Sequence, residues 1–164
     1  MGDHAEGPDT ERRPAKPRVG EGETTAQNGE AASAGRLVRS SERFTGKQGL
    51  DYGVGISAET VGAAAIHLQL VTIPPGARAR AHRHATHETA IYALSGTSAV
   101  FHGARLEHHE TVAPGDFFYI PADVPHLPYN PSGTEPAVAL VARTDPNEQE
   151  SVVLTPELER LRPP

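Results

Sequence analysis

Short apolar runs, each ended by turn residues, fill the chain from Arg36 onward. The runs contain Val, Ile, Tyr and Phe, and Gly, Pro, Asn or Asp separates them. This pattern is typical of many short β-strands joined by tight turns. An all-β chain of this size closes its sheet edges as a barrel or a double-sheet jelly roll. The predicted strands cover residues 36–40, 63–73, 78–84, 89–94, 97–102, 108–112, 117–120, 125–128 and 136–143.

The two ends of the chain differ from this pattern. Residues 1–35 are rich in Gly, Pro, Glu and Ala, and Val19 is their only large aliphatic residue after Met1. Such a segment buries too little apolar surface to offset the entropy of ordering it, so we predict a disordered tail over 1–35 and one domain over 36–164. The pattern indicates a single short helix at 155–161, with Thr155 as its cap and Pro156 in its first turn.

Composition excludes several classes of function. The 15 Lys and Arg residues are outnumbered by 21 Asp and Glu, and no basic stripe is present, so neither nucleic acid nor an anionic membrane is an expected partner. The absence of cysteine excludes disulfides, thiolate metal sites and cysteine nucleophiles. No apolar run approaches the length of a membrane span. The hydrophilic N-terminus lacks a signal core, and we therefore expect a cytoplasmic protein.

Four residues have the chemistry and spacing of a metal site. His82 and His84 are two apart on a predicted strand and therefore share one face. Glu88 follows after a short turn, and His126 comes from a Pro-rich turn far along the chain. Three imidazoles and a carboxylate without sulfur favour Fe(II), Mn(II), Ni(II), Zn(II) or a similar ion. We predict one divalent transition metal bound by His82, His84, Glu88 and His126.

The first of these segments resembles the first motif of the cupin superfamily. That motif runs Gly, five residues, His-x-His, three or four residues, Glu, six residues, Gly. Gly76, His82, His84 and Glu88 fit it, although seven residues rather than six separate Glu88 from Gly96. An extra residue at this point suggests a β-bulge.

The second segment is similar to the second motif of the same superfamily, so that the resemblance spans roughly 76–130. This motif runs Gly, five residues, Pro-x-Gly, two residues, His, three residues, Asn. Gly115, Pro121, His126 and Asn130 fit it, and Asp123 stands in the place of the glycine. Asp tolerates a left-handed turn better than most residues. The resemblance implies a cupin-type double-stranded β-helix, that is, a jelly-roll barrel with the metal in its wider mouth, and often a homodimer.

The extra residue before Gly96 leaves two candidates for the third ligand. The spacing favours Glu88, and the neighbouring His87 is the alternative. The resemblance does not name the native metal or the substrate, because function depends on the site rather than the fold.

Three classes of function remain open for a small-molecule substrate or ligand. With Fe(II) the site suits a dioxygenase. With Mn(II) or Zn(II) it suits an isomerase, epimerase or decarboxylase, and a non-catalytic binding module is the third class. An apolar pocket formed by Ile91, Ala93, Phe117 and Tyr119 favours the dioxygenase.

No catalytic residue can be assigned from these patterns. His67, Glu88 and Tyr92 are the nearest candidates for a base beside the metal. Arg78 and Arg80 are either a clamp for a carboxylate substrate or an ordinary solvated strand face.

Overall fold

The computed structural model of the protein describes residues 1, 34–39, 43–147 and 151–162. The chain divides into two units, Met1–Gly35 and Arg36–Pro164. The disordered tail predicted over 1–35 lies almost wholly outside the described residues and stays a prediction. The strand predicted at 36–40 is absent, because the described part of it, 36–39, has no regular structure.

Short strands make up most of the second unit. They are β1 (Arg43–Thr45), β2 (Asp51–Ile56), β3 (His67–Ile73), β4 (His82–His84), β5 (Thr89–Ser95), β6 (Ser98–His102), β7 (His108–Val112), β8 (Phe117–Ile120), β9 (His126–Tyr129), β10 (Ala137–Arg143) and β11 (Val152–Leu154). Two single-turn helices, α1 (Ala58–Val61) and α2 (Pro156–Glu159), follow β2 and β11.

The strands form two antiparallel sheets. One has six strands in the order β1-β2-β3-β10-β5-β8, and the other has five in the order β11-β4-β9-β6-β7. Consecutive strands such as β5 and β6 lie in different sheets, so the chain crosses repeatedly between them. The predicted all-β jelly-roll barrel is therefore confirmed.

Strand alternation places the core between the two sheets. In β3, His67, Gln69, Val71 and Ile73 are buried, while the residues between them lie on the outer face. Apolar side chains from both sheets meet inside, for example those of Ala93, Val100, Val112 and Phe118. Burial of this surface drives folding, at about 25 cal/mol for each Å² of apolar area removed from water.

The predicted β-bulge is present at the end of β5. Its pairing with β10 shifts between Ala93 and Ser95, so Leu94 is the extra residue. The turn that follows requires glycine at position 96, because φ is +65° and a Cβ there would lie 2.2 Å from the carbonyl oxygen of Pro136. Along the chain, the bulge comes after His82 and His84 and before His126.

The sequence pattern missed three strands, and it also missed helix α1, so the prediction of a single helix was wrong. Neither β1, β2 nor β11 was predicted, because two of them have three residues and β2 contains two glycines. Helix α2 is shorter than predicted, and the Thr155 side chain makes no capping hydrogen bond. Among the described residues, no helix has the length and apolar character needed to cross a membrane.

Candidate metal centre

Three histidines from two neighbouring strands face the interior of the barrel. His82 and His84 lie on β4 and are buried, while Arg83 between them points outward to Asp123. His126 begins β9 and is paired with His82 across the ladder. The alternation of a strand and one antiparallel pairing therefore bring three imidazoles to one place.

The three rings are close enough to share an ion. Their ring centroids are 4.2 to 5.2 Å apart, and one nitrogen of each lies within 4.8 Å of the other two. Metal–nitrogen bonds are about 2.1 Å long, so a common ion needs only small ring movements. The donor set contains no sulfur and suits a borderline divalent metal.

Backbone carbonyls orient two of these rings. The Nδ1 atom of His82 lies 2.7 Å from the carbonyl oxygen of Arg80, and Nδ1 of His126 lies 2.9 Å from that of Val124. A carbonyl only accepts, so each Nδ1 carries the proton and each Nε2 keeps its lone pair. Metal-binding histidines characteristically donate their second ring N–H in this way. The two rings are thus held in the tautomer that ligation requires.

The structure does not bring Glu88, the predicted carboxylate ligand, to this cluster. Its side chain lies on the outer face, where the Tyr119 hydroxyl donates a 2.6 Å hydrogen bond to its Oε1 atom. Residues alternate along β5, and Thr89 is the buried one, so Glu88 and Ala90 are directed outward. The pKa of Tyr119 is raised by this hydrogen bond, by burial and by the nearby negative charge.

The alternative third ligand, His87, is buried but lies behind His84 rather than in the group of converging nitrogens. Its ring centroid is 4.4 Å from that of His84. Its Nδ1 atom is 3.2 Å from the Ser151 hydroxyl and 3.6 Å from Oδ2 of Asp145. His87 therefore supports the ring of His84 and connects it to the segment after β10.

A residue that the sequence analysis missed, Thr89, lies on the inner face instead. It is buried and lines the same cavity as the three histidines. A signal for it was present: six residues separate Thr89 from Gly96, and four separate it from His84. Both spacings agree with the first cupin motif, so threonine occupies the place of the motif's glutamate.

The three histidines line a small, mainly apolar cavity of about 80 Å³. Its walls come from both sheets and include Ile91, as expected, together with Phe118 and the buried cation Arg143. Phe117 and Tyr119, which were predicted to line the pocket, lie exposed on the outer face of β8. The apolar character of the pocket was predicted correctly, but of the four residues given as its cause Ile91 lines it, and Ala93, Phe117 and Tyr119 do not.

The other candidate residues take structural positions. His67 is buried, and its Nε2 contacts Gln69 and its Nδ1 contacts Arg143, both at 3.0 Å. Tyr92 lies on the outer face of β5 against Phe117. The two arginines named as a clamp, Arg78 and Arg80, do not line the cavity.

Two residues of the second motif shape its turn. Asp123, in the place of the glycine, has a φ of +67°, as predicted for a left-handed turn. Asn130 is buried and makes three hydrogen bonds to backbone groups: it donates to Ile73 and Glu135 and accepts from Ser132. It fixes the turn after β9, as expected.

The segment that contains the three histidines matches a known protein family. Residues 69–143 match the family described as the cupin domain. No curated protein matches the sequence.

Many solved structures are similar to this chain. One, of Bacillus subtilis oxalate decarboxylase and described for its Mn(II) centres, is 25% identical with a TM-score of 0.55, over 66% of this chain and 28% of that one. Lactobacillus farciminis oxalate decarboxylase is 20% identical with a TM-score of 0.58, over 74% of this chain and 36% of that one. The DMSP lyase of Ruegeria pomeroyi is 22% identical with a TM-score of 0.48, over 57% and 44%. The chain spans less than half the length of each of these three proteins.

Proposed function

The chain contains a cupin domain, and from its three converging histidines we propose a metalloenzyme that acts on a small organic substrate. The proposed ligands of the single divalent transition metal are His82, His84 and His126. The observation that carries this proposal is the orientation of His82 and His126, whose Nδ1–H groups donate to backbone carbonyls, so that the lone pair of each ring lies on Nε2, as ligation requires. Glu88 is not part of the proposed ligand set.

A set of three protein ligands favours a dioxygenase. A six-coordinate ion held by three imidazoles keeps three open positions, and an Fe(II) ion there would supply binding and activation of O₂ beside a chelating substrate. The surrounding protein contributes a mainly apolar wall, including Ile91, Val100 and Phe118, which excludes bulk water from the reacting groups. The three histidines lie on strands β4 and β9, which would fix the positions of the ligand atoms around the ion.

A metal-dependent decarboxylase, isomerase or epimerase is the second candidate. Its support is the similarity to Bacillus subtilis oxalate decarboxylase, which contains Mn(II) centres. These reactions need a proton donor or acceptor beside the substrate. Among the described residues that line the cavity none is Asp or Glu, and Glu88 and Tyr92 do not reach it. We therefore place the dioxygenase first.

The proposal is tested by measuring metal content and reaction in the same preparation. Protein purified without chelators or an affinity-tag metal is subjected to elemental analysis and is then loaded with Fe(II) or Mn(II). We expect one ion per chain, and O₂ consumption with Fe(II) over a panel of diketones, catechols and 2-oxo acids. Turnover with Mn(II) in the absence of O₂ would favour the second candidate. Tight ligand binding without turnover under either metal would identify a non-catalytic binding module.

The homodimer implied by the resemblance is also a proposal. Phe117, with 82% of its surface exposed, packs against Tyr92 on the outer face of the six-stranded sheet, and Tyr119 and Leu94 lie exposed on the same face. Strand β8 is the outermost strand on this side of the described sheet, and an exposed edge with apolar neighbours suits the same strand of a second copy. Sedimentation analysis of Phe117→Asp should show a shift to monomer that Leu161→Asp, at an exposed apolar residue after α2, does not cause.

The cytoplasmic location expected from the sequence is likewise a proposal, and cell fractionation tests it.

A further inference from the structure

The described wall of the central cavity contains an arginine and no carboxylate, although the Asp145 carboxyl, which is not part of this wall, interacts with that arginine. Among the described residues that line it, Arg143 is the one permanently charged group, and none is Asp or Glu. Neutral imidazole ligands would leave the two positive charges of a bound ion uncompensated. Uncompensated charge in an apolar surrounding is unfavourable. The cavity therefore favours a negatively charged occupant.

Arg143 is held in a fixed position at the inner face of the barrel. It ends β10, only 4% of its surface is exposed, and its neighbours across the sheet are His67 on β3 and Thr89 on β5. One guanidinium nitrogen, Nη2, lies 3.0 Å from Nδ1 of His67 and donates a 2.5 Å hydrogen bond to the carbonyl oxygen of Asn147. These contacts fix the guanidinium plane, and a planar fork of donors matches a carboxylate better than it matches a neutral group.

Thr89 lies beside Arg143 on the neighbouring strand and points into the same cavity. It is 4% exposed, and its hydroxyl oxygen has no hydrogen-bond partner among the described residues. A buried hydroxyl without a partner is unfavourable by roughly 1–3 kcal/mol, so a polar group of a ligand is its natural partner. A glutamate at this position would have supplied the negative charge that the site lacks.

We propose that the cavity binds a small carboxylate that carries a second oxygen donor, such as a 2-oxo or 2-hydroxy acid. Arg143 pairs with the carboxylate, Thr89 hydrogen-bonds to it, and the oxygen donors face the ion held by His82, His84 and His126. The cavity volume of about 80 Å³ suits only a small molecule, since pockets for drug-sized ligands measure roughly 300–1,000 Å³. This inference rests on the proposed metal site and specifies its substrate class.

Calorimetric titration of Mn(II)-loaded protein tests the inference without relying on turnover. The probes are pyruvate, its neutral amide pyruvamide, and acetate, which lacks the second donor. We expect pyruvate to bind at least about tenfold more tightly than either of the others. Equal affinity for pyruvate and pyruvamide would overturn the inference while leaving the metal site intact. Failure of the wild-type protein to take up metal would overturn the proposed function and this inference together.

Variants assign the roles of the two residues. Arg143→Gln should weaken pyruvate binding about tenfold or more while metal content stays unchanged, and Arg105→Gln, at an exposed arginine outside the cavity, should have no effect. Thr89→Glu should retain metal but lose pyruvate binding, because its carboxylate fills the place of the ligand. Wild-type affinity in either Arg143→Gln or Thr89→Glu contradicts the proposal. If circular dichroism shows that Arg143→Gln is unfolded, the pyruvate affinities of Thr89→Glu and of the charge-retaining Arg143→Lys test the proposal instead.

Discussion

His82 and His126 face each other across the ladder between β4 and β9, with their ring centroids 4.2 Å apart. Each ring donates its Nδ1–H group to the carbonyl oxygen of the residue two positions earlier, Arg80 in one case and Val124 in the other. The same local arrangement thus occurs twice, in segments far apart in the sequence. Both rings are therefore oriented by contacts with their own backbone.

Removing these two rings should abolish metal binding without unfolding the barrel. We expect the double variant His82→Ala, His126→Ala to lose at least about tenfold in metal content, because a single imidazole is a weak site. Elemental analysis measures the loss, and circular dichroism measures the fold. His109→Ala, at an exposed histidine of β7, is the matched control and should retain the metal. A double variant that keeps one ion per chain would exclude these histidines as ligands.

Glu88 should be dispensable for metal binding. Glu88→Gln removes the charge on the outer face, and we expect the metal content to remain that of the wild-type protein. The raised pKa of Tyr119 should return towards its usual range, because the hydrogen bond to the carboxylate is its largest cause. Ultraviolet titration of tyrosine ionisation measures this change. Loss of the ion in Glu88→Gln would restore Glu88 to the ligand set.

The Tyr119 hydrogen bond also has a defined dependence on pH. A raised folded pKa means that its stabilising contribution is complete below the pKa of tyrosine in the unfolded chain. The contribution is lost as the pH rises through the folded pKa. The difference in unfolding midpoint between wild type and Glu88→Gln should therefore disappear in strong alkali.

Asn130 should be important for stability rather than for metal binding. Its buried amide makes three hydrogen bonds that join the turn after β9 to β3 and to the turn before β10. Asn130→Ala leaves buried backbone groups unpaired, and we expect a loss of roughly 2–4 kcal/mol in the free energy of unfolding. Denaturant titration measures the loss. Thr134→Ala lies in the same turn and removes none of these bonds, so it should lower the free energy of unfolding much less.

Asp145 should stabilise the fold at neutral pH. Burial opposes ionisation of its carboxyl, but hydrogen bonds from the backbone and side chain of Asn147, together with His87 and Arg143, outweigh burial and lower its pKa. A lowered folded pKa gives stability above the unfolded pKa of about 3.9, and this stability is lost as the pH falls through the folded pKa.

The variant Asp145→Asn tests this linkage. We expect it to lower the free energy of unfolding by about 1–2 kcal/mol at pH 7, and the difference from wild type should vanish in acid. Denaturant titrations at several pH values measure it, with Glu157→Gln on the exposed side of α2 as the control. A difference that stays constant down to acid pH would show that the charge of Asp145 is not the cause.

Much of the barrel could be predicted because its signals are local. Period-two alternation and the Gly and Pro turns determined most strands to within a few residues. The shared face of His82 and His84 could be predicted because the face of a residue on a strand follows from its parity alone, whereas His126 was predicted from the second motif.

The outward direction of Glu88 could not be predicted because parity is lost across a turn. Four residues separate His84 from β5, and the sequence does not show which of the next side chains returns to the inside. The pairing of Thr89 with Ile120 and Arg143 decides it. Arg143 was missed because an arginine at the end of an apolar strand is usually a solvated terminus. Its burial depends on His67 and Asn147, which no local pattern connects to it.

Strand β11 pairs with β4 along its whole length, so the strand that carries His82 and His84 lies between β11 and β9. Residues 152–154 are made long after both histidines, and Glu159 from α2 accepts a hydrogen bond from the backbone of Ala81. Contacts between such distant segments form slowly. During synthesis β4 therefore keeps one unpaired edge until residues 152–154 have been made, and the strand that carries both histidines is completed only through this long-range pairing.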